Sequence, residues 1–281
     1  MGKFDGLLII SDYDNTITYT EGSLLGGEEL PPVSAEDRRA MEYFMAEGGT
    51  FSVATGRALP AFAPIASAIP MNGPTILFNG AAIYDFAAGR YLHTAFLPDT
   101  VRPHLALLLE RFPGLAMELY HDDAVIHTVH PNEVTRAHLQ LTHPPTVVDA
   151  ALDQVPSPIS KVLLEGTDCL LSQVIAFLRD ADWADAYEIV PSAACLVELT
   201  ARGANKGVMA EKLASLLHVP RKNVLCVGDQ ANDIPMLHFA AVPYAPANAI
   251  PAVHRLPGIQ ILPHCADHAI AAMIASLDKL Y

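Results

Sequence analysis

The sequence predicts an α/β fold, a parallel-sheet core interrupted by an inserted α+β unit. Three observations carry this expectation. Residues 7–85 alternate buried-strand and amphipathic-helix patterns, and polar residues collect at the strand C-terminal ends. Between about 86 and 190 helical periodicity mixes with segments that read as antiparallel strands. From Lys206 onward the first pattern returns. The expected division is therefore a core of residues 1–85 and 191–281 with an insert at 86–190, a plausible load for 281 residues.

The elements follow in order. Residues 7–11, between Gly6 and Asp12, open on the unbroken aliphatic run Leu7-Leu8-Ile9-Ile10, which suits a strand covered on both faces. Ser34, three positions before Asp37, makes a capping-box-like start to a helix striped by Met41, Phe44 and Met45. Gly48-Gly49 ends that helix. Strands follow at 50–54, stopping at Thr55-Gly56-Arg57, and at 75–78, running into Asn79-Gly80. Within the insert, Leu105, Leu108, Leu109 and Phe112 keep helical spacing, and Ala116–His130 reads as two strands around His121-Asp122-Asp123. A strand at 162–165 leads to a helix carrying Leu170, Leu171, Val174, Ile175 and Leu178. Lys206 opens a helix with Met209 and Leu213; "NVLCV" (223–227) is a strand closed by "GDQAND" (228–233). Strands near 242–244 and 259–262 and a terminal helix through Ile270, Met273 and Leu277 complete the core, a Rossmann-like arrangement.

Composition narrows the function. Apolar residues at 51% and charged residues at 17% argue against disorder. A formal charge of −14 without a basic patch is a poor match to nucleic acid. The N-terminal apolar stretch is too short for a signal-peptide core, and no run spans a bilayer, so the expectation is a cytoplasmic monomer or homodimer without a membrane partner. Cys169, Cys195, Cys226 and Cys265 are widely spaced with no CxxC, as for ordinary small buried side chains. His121, His127 and His130 are close in sequence but lack a ligand-like frame.

One stretch asks for more. "SDYDNT" (11–16) sets Asp12 and Asp14 directly after the most apolar strand. Two carboxylates this close repel unless something positive is held between or beside them, so the pair is either a solvated turn or a cation site. Open parallel sheets bind ligands outside the strand C-termini. Four such ends carry Asp12/Asp14, Thr55/Arg57, Asn79, and Asp229/Asn232/Asp233, while Lys206 stands at a helix start that favours an anion. Oxygen ligands favour magnesium, which keeps some waters and is partnered by substrate phosphate. The residues alone thus point to magnesium-dependent chemistry on a phosphorylated ligand.

In these residues the chain resembles the haloacid dehalogenase superfamily of aspartate-nucleophile phosphatases, and within it the Cof-type branch, whose α/β cap is inserted between the second and third motifs. The motifs are Asp12-Tyr13-Asp14-Asn15-Thr16, Thr55 in "ATGR", Lys206 in "GANKG", and "GDQAND", in family order over nearly the whole chain. Asn15 stands where the family usually has glycine in a tight turn, a geometry Asn tolerates. The resemblance implies magnesium-dependent hydrolysis of a small phosphorylated metabolite, sugar phosphates foremost, through an aspartyl-phosphate.

The same resemblance implies the roles. Asp12 is the nucleophile, and Asp14 protonates the leaving oxygen and later takes a proton from water. Thr55 and Lys206 hold the transferring phosphoryl group. Mg2+ is held by the Asp12 carboxylate, the Asp14 carbonyl and the Asp229 carboxylate, with Asn232 or Asp233 adding a direct or water-mediated contact. Asn79 and Gly80 form the pocket rim, and Arg57 meets substrate or an acidic partner. The cap sets specificity, with His121, Asp122, His127 and His130 as candidates by chemistry; Glu21–Pro32, an unusual stretch of this chain after the first motif, is expected to help shape the entrance. Ser192, Glu198 and Asn205 lie near the return to the core. A phosphomutase and a non-catalytic phosphometabolite-binding protein are the alternative readings of the same motifs.

Overall fold

The structure, a computed structural model, describes residues 2–20, 31–121, 125–142 and 144–280, with Leu141 described by its backbone alone. Most of the stretch expected to shape an entrance (21–30), and Asp122, lie outside the described residues.

Along the chain, β1 (Leu8–Ser11) is fully buried, as its aliphatic run requires. Helix α1 (Ala35–Ala46) starts where the Ser34 hydroxyl accepts the Asp37 N–H at 3.0 Å, which satisfies an end donor the helix cannot. Gly48, at φ 88°, turns the chain out of it into β2 (Thr50–Val53). Helix α2 (Leu59–Ala66) follows. Then comes a three-stranded sheet of β3 (Thr75–Leu77), β4 (Ala82–Asp85) and β5 (Arg90–Thr94).

The next stretch runs α3 (Val101–Arg111), β6 (Ala116–Tyr120), β7 (Val125–Val129), α4 (Glu133–Thr142), β8 (Thr146–Asp149), β9 (Lys161–Glu165), α5 (Asp168–Asp180), β10 (Tyr187–Ala193) and β11 (Leu196–Ala201). After it come α6 (Lys206–Leu216), β12 (Val224–Val227), α7 (Ile234–Phe239), β13 (Val242–Pro246), α8 (Pro251–His254), β14 (Gln260–Leu262) and α9 (Ala269–Leu277). No helix among the described residues is long and apolar enough to cross a membrane.

Contacts divide the chain into two units, residues 1–56, 64–93 and 206–281, and residues 57–63 and 94–205. The sequence expectation drew the edges of the insert at 85/86 and 190/191. The later edges have a physical origin: β5 extends the β3–β4 sheet past residue 85, and β10–β11 is an antiparallel hairpin whose second strand pairs with β9.

The first unit is built on a parallel sheet in the order β14-β13-β12-β1-β2. Leu8 and Ile10 pack into a core with Met209, Leu213, Cys226 and Met236. Helices α1 and α9 pack on each other, with Phe44 against Phe4 at 5.0 Å between ring centroids. Parallel pairing sends all strand C-termini to one edge, and the polar residues that follow β1, β2 and β12 arrive there together.

The second unit is a sheet in the order β10-β11-β9-β6-β7-β8, antiparallel except for the β7–β8 pair. Strand alternation gives it two unlike faces. Met117, Leu119, Val162, Leu164, Val197 and Leu199 bury an apolar core with residues of α3 and α5. Glu118, Tyr120, Lys161, Glu165 and Glu198 alternate with them. His127 pairs with Leu119, and His121 Nδ1 lies 2.9 Å from the Pro158 carbonyl. Ser192 is exposed on β10, Glu198 pairs with Lys161 at 2.7 Å, and the Asn205 amide donates to Glu188 at 3.3 Å.

Candidate active site

The apolar strand β1 delivers Asp12 to the C-terminal edge of the first unit's sheet. The Asp12 N–H donates to the Val227 carbonyl at 2.9 Å, and the Ala54 N–H donates to the Ser11 carbonyl at 2.8 Å, so the ends of β1, β2 and β12 are level. Asp12 is 6% exposed, and Lys206, Asp229 and Asp233 are each 1% exposed or less.

Lys206, the first residue of α6, joins the charges. Its Nζ donates to Asp12 Oδ1 at 2.5 Å and to Asp233 Oδ1 at 2.7 Å. The other Asp233 oxygen accepts the backbone N–H groups of Asp229 and Gln230 at 2.9 and 3.0 Å. Asp233 therefore folds the "GDQAND" loop over itself while it holds the lysine. Asp229 accepts from the Thr16 hydroxyl and the Gln230 amide, both at 3.2 Å.

The electrostatics are lopsided: three buried carboxylates face one ammonium. Burial pushes the Asp12 carboxyl well above its ordinary range; Lys206 opposes this, and Asp233, Asp229 and Asp14 add to it. Burial and then Asp233 push Asp229 up to about 7 against Lys206, Thr16 and Gln230. Burial disfavours the charged form of Lys206, yet Asp12 and Asp233 outweigh it and hold the ammonium charged. Carboxylate oxygens of Asp12, Asp229 and Asp233 lie within 4.8 Å of one another. A donor set made only of oxygen, with negative charge in excess, fits a hard divalent cation.

Other expected residues arrive at the same edge. Thr55 is fully buried after β2, and its carbonyl accepts the Asn79 N–H at 3.0 Å. Asn79 sits in the left-handed region at φ 54°, and its Oδ1 accepts from the Asn232 amide at 2.9 Å, which links the ends of β3 and β12. Gly80, at φ 110°, is buried beside it. Asp14 is half-buried and bridges to Thr18. Asn15 takes φ 56°, as expected for a residue in a glycine-favouring turn, and its Oδ1 accepts the Thr20 N–H at 3.0 Å. Arg57 is half-buried and is counted with the second unit.

Sequence reasoning passed over two supports. Thr16 lay inside the first motif but had no stated role until its hydroxyl met Asp229. Asn248, in the loop after β13, donates to the Asn15 carbonyl at 2.7 Å and accepts the Cys265 N–H at 2.9 Å. A single Asn between alanines carries no signal that would have found it.

Gly207 gives a direct test of the lysine's seating. A Cβ there would stand 2.6 Å from the Pro235 carbonyl carbon and oxygen in α7, and backbone cannot swing aside. Gly207→Ala is expected to destabilise the protein by about 1–3 kcal/mol in urea unfolding, the usual range for overpacking. An unchanged midpoint would show that α6 and α7 separate freely.

The comparisons with known proteins agree in kind. Residues 9–274 match the model of the haloacid dehalogenase-like hydrolases. The chain is 24% identical over 247 residues to the 5-amino-6-(5-phospho-D-ribitylamino)uracil phosphatase YitU of Bacillus subtilis, covering 84% of this chain and 87% of that one. It is 27% identical over 227 residues to the HMP-PP phosphatase of Serratia proteamaculans, covering 78% and 79%. Among solved structures, a haloacid dehalogenase-like hydrolase from Bacteroides thetaiotaomicron superposes with a TM-score of 0.80 at 22% identity, over 98% and 99% of the two chains. The subclass IIB sugar phosphatase BT4131 does so with a TM-score of 0.78 at 17% identity, over 97% and 99%.

Proposed function

We propose, from the premise that the chain belongs to the haloacid dehalogenase-like hydrolase family and to its Cof-type branch, that it hydrolyses small phosphate monoesters, sugar phosphates foremost, through an aspartyl-phosphate on Asp12. The observation that carries this reading is the Lys206 ammonium held between Asp12 and Asp233 at the mouth of β1. A buried carboxylate with a buried cation against it is equipped to meet an anionic phosphoryl group.

In this reading an Asp12 oxygen attacks phosphorus while the bond from phosphorus to the leaving oxygen breaks. Asp14 gives its proton to that oxygen. Water then attacks the phosphorus of the aspartyl-phosphate, Asp14 takes the water's proton, and the bond to Asp12 breaks to release phosphate and restore the carboxylate. Lys206 neutralises charge on the nucleophile and the phosphoryl oxygens, and Thr55 donates to those oxygens. Asp233 also positions Lys206 and the loop, since its two oxygens accept from both. Asn79 and Gly80 shape the rim, with Arg57 as a further substrate contact.

Asp12, the Asp14 carbonyl and Asp229 would hold Mg2+, with Asn232 or Asp233 adding a direct or water-mediated contact; the ion would supply positive charge to the phosphoryl group. Selection of the leaving group is assigned to the inserted unit, since every phosphate-handling group proposed here except Arg57 belongs to the first. The relatives named above support small phosphorylated substrates by their own activities.

Phosphate release from a panel of sugar, nucleotide and polyol phosphates is expected only with Mg2+ and is expected to stop on chelation. No magnesium-dependent release from any member would sink the reading. Isomerised product without free phosphate would instead identify a mutase.

A further inference from the structure

The second unit holds a second cluster of metal-ligating side chains that the phosphoryl chemistry does not use. Glu118 sits in the middle of β6 and Glu165 at the end of β9, both 0% exposed. Their strands pair with Ala116 opposite Glu165 and Glu118 opposite Leu163, so the two carboxylates are diagonal neighbours on one face. Helix α4 lays His138 over them. Its Nδ1 lies 2.9 Å from Glu118 Oε1 and 3.5 Å from Glu165 Oε1.

We propose that Glu118, His138 and Glu165 form a binding site for a divalent transition-metal ion of the zinc class. The first argument is an unmet demand. Among the described residues neither Glu165 carboxylate oxygen has a hydrogen-bond partner, although the side chain is wholly buried. A buried carboxylate without a hydrogen bond is costly unless a proton or a cation meets it, and His138, 3.5 Å from Oε1, is itself one of the three donors. The Thr135 hydroxyl beside it is engaged with Asn132. Lys161 is paired with Glu198 at 2.7 Å.

The second argument is geometry and donor type. One ligand atom from each of the three residues lies within 4.8 Å of the others. A tetrahedral ion with ligands at about 2.0–2.1 Å has edges of roughly 3.3 Å, which brackets well with the two observed separations. An imidazole among carboxylates selects zinc-like ions over magnesium or calcium. Support is also built around the ligands: the Tyr120 hydroxyl donates to Glu118 Oε2 at 2.7 Å, and the Asn132 amide ties the start of α4 to the Gly114 and Glu165 carbonyls at 3.1 and 3.2 Å.

Equilibrium dialysis of the full chain against Zn2+ in excess Mg2+ tests this. The wild type is expected to retain one equivalent of zinc, and His138→Gln and Glu165→Gln to bind it at least ten-fold more weakly with unchanged circular dichroism. Asp229→Asn, which alters the other carboxylate cluster, is expected to keep that equivalent. Zinc absent from the wild type, retained equally by both second-unit variants, or lost only in Asp229→Asn would each overturn the proposal. Glu165→Gln removes a buried charge, and His138→Gln supplies an independent reading should either variant fold poorly.

Discussion

Asp12→Asn is expected to lower turnover by at least about 10⁴-fold and to leave no phosphorylated protein after rapid quench. The amide keeps the size of the side chain but cannot form the acyl-phosphate bond. Folding should survive, because the substitution removes a buried carboxyl that burial already pushes well above its ordinary range. Lys206 keeps Asp233 as its partner at 2.7 Å. Thermal unfolding of the variant should therefore stay close to that of the wild type. Turnover within ten-fold of wild type, in protein shown free of contaminating phosphatase, would remove Asp12 from the nucleophile's role.

Asp14→Asn should behave differently, and the difference separates the two aspartates. The substitution keeps the backbone carbonyl proposed as a metal ligand and removes the proton. Turnover of an alkyl phosphate is expected to fall about 10²–10⁴-fold, the usual cost of losing general acid–base help. An activated aryl phosphate has a leaving group that needs less protonation, so its first half-reaction should suffer less. With that substrate, phospho-Asp12 should accumulate, because water attack still lacks its base. The contrast is diagnostic: Asp12→Asn gives no trapped intermediate, and Asp14→Asn gives more of it. Near-wild-type hydrolysis of an alkyl phosphate by Asp14→Asn would assign the proton transfer elsewhere.

Legibility in the sequence followed the range of the interactions. The aliphatic run before Asp12 specified a covered parallel strand, because no other element buries four consecutive aliphatic side chains so economically. Ser34 marked the start of α1 because a cap is a contact between residues three apart. By contrast β10 and β11 were not read. Val197 and Leu199 alternate with Glu198 and Thr200, and what makes the segment a strand is its pairing with β9 more than thirty residues away. Strand β8 escaped for a related reason: it is exposed along its length, so no apolar pattern announces it.

For the site, the chain alone determined the identities and the order of the residues proposed to form it: Asp12 and Asp14, Thr55, Asn79, Lys206, and Asp229 with Asn232 and Asp233. Parallel topology made their meeting predictable, since strand C-termini share an edge. What only the tertiary structure decided is how each side chain is used there. Asp233 spends both oxygens on Lys206 and the loop amides, whereas Asn232 turns its amide to Asn79. Thr16 and Asn248 become supports through bonds spanning more than two hundred residues. Glu118, His138 and Glu165 converge because strand register and the seat of α4 put them on one face. Periodicity specifies which way a residue faces within its own element; side-chain partners across elements depend on register and packing, which arise only when the whole chain closes on itself.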